Sequence, residues 1–206
     1  MSGRDLRGLA SPAAAAARAA ASADRLRERA LDDGLVDVAI GTIDGPVGEL
    51  QVAVTGRGLV YVAYDDEDRE ALVARYASGL SPRIVRSARG TDAVRRELTE
   101  YFAGERTAFE LPLDRRLMHA FARKVLAATG RVGYGELATY GEIAARIGHP
   151  TAARAVGAAL GSNPIPIVVP CHRIVGAGGR LTGYAGGLER KEILLRLEGA
   201  LPPTLV

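Results

Sequence analysis

The sequence has a single cysteine, Cys171, which rules out a disulfide within the chain and any cysteine-rich zinc site. Histidine is almost as rare. There are three, and none falls between residues 35 and 112, so that stretch has too few ligands for a structural zinc. Lysine is scarce beside abundant arginine, and alanine and glycine are high. This bias reflects GC-rich coding rather than function. No apolar run reaches the roughly 20 residues of a membrane span. The alanine-rich start is interrupted by Arg18 and is too weakly hydrophobic for a secretory core. A lone free thiol fits a reducing, cytoplasmic compartment.

What remains is an ordinary soluble composition: 206 residues, 48% hydrophobic and 25% charged, enough for one or two small domains. The charge is uneven. Residues 1–34 carry +1, residues 35–112 carry −4, and residues 113–206 carry +6. A basic C-terminal part suits contact with a polyanion such as DNA.

These boundaries set the expected organisation. Residues 1–34 form an extension, partly helical or disordered. Residues 35–112 form a small supporting α/β domain. Val36, Val38 and Ile40 alternate with Asp37 and Ala39, as a half-buried strand does. Asp44-Gly45-Pro46 turns the chain into Leu50, Val52 and Val54, and Gly56-Arg57-Gly58 turns it into a third strand over 59–64. The result is an antiparallel meander. Helices are expected over 67–77 and 91–103, with a short strand at Ile84-Val85. The acidic run Asp65-Asp66-Glu67-Asp68 reads as a solvated helix start, with acids at the positive end of the dipole, rather than as a metal site.

Residues 113–206 carry the chemistry. A helix is expected over 116–129, with Phe121, Val125 and Leu126 inward. Thr139-Tyr140-Gly141-Glu142 has the capping-box pattern and starts a short helix. Pro150 opens a second, over 151–160. Two short helices around a glycine turn make a helix-turn-helix, although spacing alone favours an ordinary helical hairpin. The second helix favours the former, because Ala153, Ala155 and Gly157 would allow close approach to a surface and Arg154 could reach into it. Residues 163–173 hold three prolines among Ile165, Ile167, Val168 and Val169, which predicts a stiff, buried, extended segment. It ends in Pro170-Cys171-His172-Arg173. A lone cysteine is often a small buried hydrophobe. Here the adjacent His and Arg suit a thiolate nucleophile held beside its base. A last helix over 187–198 ends at Glu198. A carboxylate there faces the negative end of the dipole, and such violations of local preference mark candidate functional residues.

The stretch Asn163-Pro164-Ile165-Pro166, the Pro170-Cys171-His172-Arg173 motif, Arg154-Ala155-Val156-Gly157, Gly183-Tyr184-Ala185-Gly186-Gly187 and Leu197-Glu198-Gly199 together resemble the methylated-DNA–protein-cysteine methyltransferases, the O6-alkylguanine-DNA alkyltransferases. The resemblance covers most of residues 116–199. It implies an α+β fold: a ribonuclease H-like, three-layer-like α/β domain, then a mainly α domain with a winged-helix-like helix-turn-helix. It implies double-stranded DNA as partner, bound from the minor groove, with a flipped O6-alkylguanine and a monomeric protein. Cys171 would take the alkyl group, His172 its proton through a water, and Glu198 would orient His172. Asn163 would tie the backbone around the site, and Tyr140 would donate to the departing guanine. Arg154 would fill the gap left by the base, with Thr139, Tyr140, Ala153, Ala155, Gly157 and Arg173 against DNA. Pro166, Tyr184, Ala185 and Gly186 would line the base pocket. Neither metal nor organic cofactor is needed for the transfer.

Three other readings are weaker. A non-repairing damage binder of this kind would lack the acceptor cysteine. A thiol hydrolase would draw its histidine from a distant segment. A transcription factor would place polar base-reading side chains where the second helix has Ala and Gly.

Overall fold

The computed structural model describes residues 11–202, so residues 1–10 of the expected extension lie outside it. Helix α1 (Pro12–Asp32) follows from its alanines, with Ser11 as N-cap and Pro12 in the first turn. None of its residues is buried. Its C-terminal end is tied down by Glu28, which accepts from Ser87 Oγ at 2.8 Å, and by Asp32, 2.6 Å from Arg89.

The three expected strands are β1 (Val38–Gly45), β2 (Gly48–Thr55) and β3 (Gly58–Ala63), each antiparallel to the next. The meander is extended by β4 (Ile84–Arg86), which pairs parallel with β1, so the sheet is mixed, in the order β3-β2-β1-β4. The parallel pairing arises because α2 (Arg69–Gly79) crosses over between β3 and β4. Asp68 caps α2 by accepting from the Glu70 and Ala71 amides.

Alternation along the strands sends side chains to both faces of the sheet. Val38, Ile40, Ala53 and Tyr61 pack with Leu72 and Tyr76 of α2. Leu50, Val52 and Val62 face the other way, onto Val94, Leu98 and Tyr101 of α3 (Asp92–Phe102). That second cluster continues without a break into Val125, Ile143, Val156, Ile165, Cys171 and Leu194. One apolar core therefore joins the sheet to the C-terminal half. The linking segment runs along β3, with the Leu59 amide donating to Pro112 O at 2.9 Å and the Asp114 amide to Leu59 O at 2.8 Å. Gly58 has φ +120°, and a Cβ there would lie 2.0 Å from Pro112 O, so only glycine fits.

The C-terminal half consists of α4 (Ala120–Thr129), α5 (Tyr140–Arg146), α6 (Ala153–Gly161) and α7 (Leu188–Leu197), with a short parallel ribbon of β5 (Ala138–Thr139) and β6 (Ile174–Val175). Three expectations change. Helix α4 starts at Ala120, not 116, because residues 114–118 form a turn in which Arg116 clasps Asp114 at 2.6 Å. Phe121 is 36% exposed, its ring 6.3 Å from that of His149, because Ala122, Val125 and Leu126 occupy the inner face. Helix α6 starts at Ala153, after Pro150. The intervening residues close a turn in which the Ala152 amide donates to His149 O at 2.9 Å.

Candidate active site and DNA-facing surface

Residues 163–173 are buried apart from half-buried Val168, but they reverse direction rather than extend. The Val169 amide donates to Ile165 O at 2.9 Å, and Ile167 sits at φ +72°, a region that β-branched residues rarely enter. Asn163 holds the reversal together. Its Oδ1 accepts from the Ile165 amide at 3.0 Å, while its Nδ2 donates to Val169 O at 3.0 Å and faces Cys171 Sγ at 3.1 Å. The sheet supports it from outside, through the Val62 amide to Pro164 O at 2.8 Å. The chain then makes one 3₁₀ turn over Cys171–Arg173.

Cys171 is 5% exposed. Burial pushes its thiol up to about 11, against the opposing pull of Asn163 and Lys191, so it rests protonated at neutral pH. His172 is fully buried. Its Nε2 lies 2.9 Å from Glu198 Oε1, and its Nδ1 has no hydrogen-bond partner among the described residues. Burial holds His172 below its ordinary value despite that carboxylate, so the ring is neutral.

Glu198 is the hub. Oε1 accepts from Tyr101 Oη at 2.6 Å, His172 Nε2 at 2.9 Å and an Arg173 terminal nitrogen at 2.9 Å, and Oε2 accepts from Arg173 Nε at 2.8 Å. Burial raises its pKa, but the bonds from His172 and Arg173 outweigh burial and bring it down to about 2. The dipole conflict is thus resolved by a buried cation. This also corrects one expectation. Arg173 is 6% exposed and spends its guanidinium on Glu198 and on Val132 O at 2.6 Å, so it does not face DNA.

Two depressions meet beside this cluster. One is a cavity of about 400 Å³ lined by Tyr140, Gly157, Cys171, Tyr184 and Ala185, among others. The other is a mostly apolar groove of about 490 Å³ bounded by Thr139, Tyr140, Ala153, Arg154 and Gly157, with Gly176 and Thr182 opposite. They share Tyr140 and Gly157, so the groove on α5 and α6 adjoins the cavity that holds the thiol. Thr139 caps α5 through the full capping box with Glu142. Tyr140 accepts from Thr182 Oγ1 at 3.2 Å and donates to Gly183 O at 3.3 Å. Arg154 is exposed and has no ion pair among the described residues.

The remaining expected site residues are dispersed. Ala155 is exposed on α6 but does not bound the groove. Pro166 is buried and lines a separate cavity of about 320 Å³ with Tyr61, Tyr64, Asn163 and Ala185, not the one that holds Cys171. Gly186 does not line the thiol cavity either. A Cβ there would lie 2.5 Å from Tyr64 Cε2, so its role is to admit that ring.

Three residues of the site escape sequence reading. Tyr101 reaches Glu198 from α3. Tyr64, just after β3, places its hydroxyl 2.6 Å from that of Tyr184. Lys191 is fully buried, with Nζ donating to Ile174 O at 2.5 Å and Thr182 O at 3.1 Å. Burial brings it down to about 8. For Lys191 alone there was a signal, a lysine one turn into the apolar last helix. The acidic run 65–68 is the mostly exposed helix start expected, with Asp68 capping α2, and it makes tertiary contacts as well. Asp65 and Asp66 pair with Arg190, and Glu67 accepts from Tyr61 Oη and the Tyr64 amide.

No helix among the described residues is long and apolar enough to cross a membrane. Two family models match the chain: the 6-O-methylguanine DNA methyltransferase ribonuclease-like domain over residues 38–115, and the DNA-binding domain of the same name over residues 120–200. A methylated-DNA–protein-cysteine methyltransferase of Mycolicibacterium paratuberculosis is 47% identical over 157 residues, covering 76% of this chain and 90% of the relative. The crystal structure of the Mycobacterium tuberculosis O6-methylguanine methyltransferase superposes with a TM-score of 0.69 at 40% identity, covering 81% of this chain and 95% of that one. The M. tuberculosis OGT in complex with DNA does so at 0.67 and 41%, covering 79% and 92%. With both halves of the chain matched and the cysteine motif in place, this chain belongs to the methylated-DNA–protein-cysteine methyltransferase family.

Proposed function

We propose that this protein repairs DNA by moving a methyl or other alkyl group from O6 of guanine onto its own Cys171, once per molecule. The observation that carries the reading is the junction of groove and cavity at Tyr140 and Gly157, with the thiol at the inner end. A strand lying in the groove can deliver a base only by turning it out of the stack, at a cost of a few kcal/mol. Arg154 would fill the gap left behind, a reading supported by its exposure at the groove and its lack of ion pairs among the described residues. The small side chains of Ala153 and Gly157 suit a minor-groove approach with little sequence readout.

The chemistry follows from the resting charges. Cys171 is a neutral thiol and must lose its proton to attack. With Nε2–H donated to Glu198, His172 presents the lone pair of Nδ1 as base, and a water carries the proton from sulfur to it. The sulfur–carbon bond forms as the carbon–O6 bond breaks, and the guanine anion that leaves takes a proton or hydrogen bond from Tyr140. The product is a thioether, which water does not cleave, so the protein is consumed. A monomer suffices, since every group named comes from one chain. A reducing cytoplasm keeps the thiol available. O4-alkylthymine is a candidate second substrate.

Duplex DNA carrying labelled O6-methylguanine tests this. About one label per molecule should transfer, all of it to Cys171, with none for Cys171→Ser. Label released in catalytic excess would indicate a hydrolase, and tight binding without transfer a damage sensor.

A further inference from the structure

Tyr64 lies outside every motif that marks the site, yet it is built into it. The residue is 5% exposed at the end of β3. Its hydroxyl is 2.6 Å from that of Tyr184, and the rings meet edge to face with centroids 6.2 Å apart. Its ring fills the space that a side chain at 186 would need. Arg190 lies over its face, with the guanidinium 4.6 Å from the ring centre, and is held there by Asp65 at 2.5 Å and Asp66 at 3.1 Å. The loop that walls the thiol cavity is thus fastened to the sheet at one aromatic residue.

The direction of the hydroxyl contact follows from counting protons. Neither phenol has another hydrogen-bond partner among the described residues. If Tyr184 donated to Tyr64, it would have no proton left for the sulfur of Cys171, with which it shares a cavity. If Tyr64 donates to Tyr184, the Tyr184 proton is free to point into the cavity that Tyr184 shares with Cys171. We propose that Tyr64 is a positioning residue for alkyl transfer. By donating to Tyr184 it aims the Tyr184 O–H at the sulfur of Cys171, where that donor steadies the anion as it forms. This rests on the alkyl-transfer reading above. Burial holds both phenols well above their ordinary value, so both keep their protons. Tyr184 is among the groups that favour the ionised sulfur.

The test is a cycle of Tyr64→Phe, Tyr184→Phe and the double variant, each checked for its melting temperature. At saturating DNA, Tyr64→Phe should slow transfer about fivefold, as loss of one hydrogen bond would, with DNA affinity unchanged within about twofold. The double variant should be no slower than Tyr184→Phe, because Tyr64 acts only through Tyr184. A Tyr64→Phe rate equal to wild type, or losses that multiply, overturns the proposal. A second measurement needs no DNA: reaction of Cys171 with iodoacetamide across pH reads ionisation of the sulfur directly. Its midpoint should move upward by about half a unit in Tyr64→Phe, and an unmoved midpoint again overturns the link. If wild type takes no label from DNA, the repair reading fails, while the iodoacetamide midpoint still decides the role of Tyr64.

Discussion

The hydroxyl of Tyr101 stands 2.6 Å from Glu198 Oε1, although 97 residues separate them in the chain. A residue of the first half thus helps hold the carboxylate that orients the proposed base. Tyr101→Phe keeps the ring among Phe102, Phe109 and Tyr134 and removes only this donor. We expect a loss of about 2 kcal/mol in stability, the scale of a hydrogen bond to a charged group. We also expect transfer to slow by less than about tenfold, since His172 and Arg173 still hold Glu198. Urea unfolding and single-turnover labelling check both, and an unchanged stability would mean that the contact is incidental.

Glu198→Gln should behave differently. Removing the charge leaves Arg173 buried without its anion, at a cost of about 3–5 kcal/mol at neutral pH. Glu198 has a folded pKa of about 2, below its ordinary 4.5. Its contribution is therefore complete above pH 4.5 and disappears as the pH falls through 2. The stability gap between wild type and Glu198→Gln should narrow across that window. A gap constant from pH 7 to 2 would show that the carboxylate is not the group responsible.

The pH profile of transfer separates two forms of the nucleophile. His172 lies below its ordinary 6.5, so it is already neutral and able to accept a proton at pH 7. Cys171, pushed up to about 11, is a thiol throughout the physiological range. Transfer by thiol and base together should hold level from pH 6.5 to 8 and fall only at more acidic pH. A rise of about tenfold per pH unit between 7 and 9 would mean that pre-formed thiolate reacts without help from His172.

Arg154→Ala separates extrusion of the base from chemistry. Repair of duplex DNA should slow by about tenfold, equivalent to 1.4 kcal/mol of lost support for the flipped state. Reaction with free O6-methylguanine should change by less than about twofold. Equal losses on both substrates would assign Arg154 to the reaction itself and remove its role as a wedge.

The parts of the site legible in the sequence are those joined by short spacings. The capping box at Thr139 and Glu142 and the pairing of cysteine with histidine are both local, whereas the reversal between Asn163 and Cys171 was missed because three prolines suggest an extended run. Glu198 announced itself by offending the helix dipole, and its reason proved to be Arg173. That same arginine misled, because a cation beside the motif suggests an outward contact, whereas the 3₁₀ turn points it into the core. Tyr64 and Tyr101 could not be read at all. Each looks like a core aromatic on its own element, and only the folded chain places one against Tyr184 and the other against Glu198. The parallel pairing of β4 was hidden for a similar reason, since three residues carry too little pattern to state a direction.

The continuity of the apolar cluster from the sheet to α7 bears on how this chain can be dissected. A fragment beginning near residue 116 would keep every recognisable motif. It would also bare the flank on which Leu50, Val52, Leu98 and Tyr101 now rest, and strip the loop at 183–190 of its anchor at Tyr64 and Asp65. Such a piece would be a poor guide to the intact molecule, whose reactive sulfur depends on a scaffold that displays no chemistry of its own.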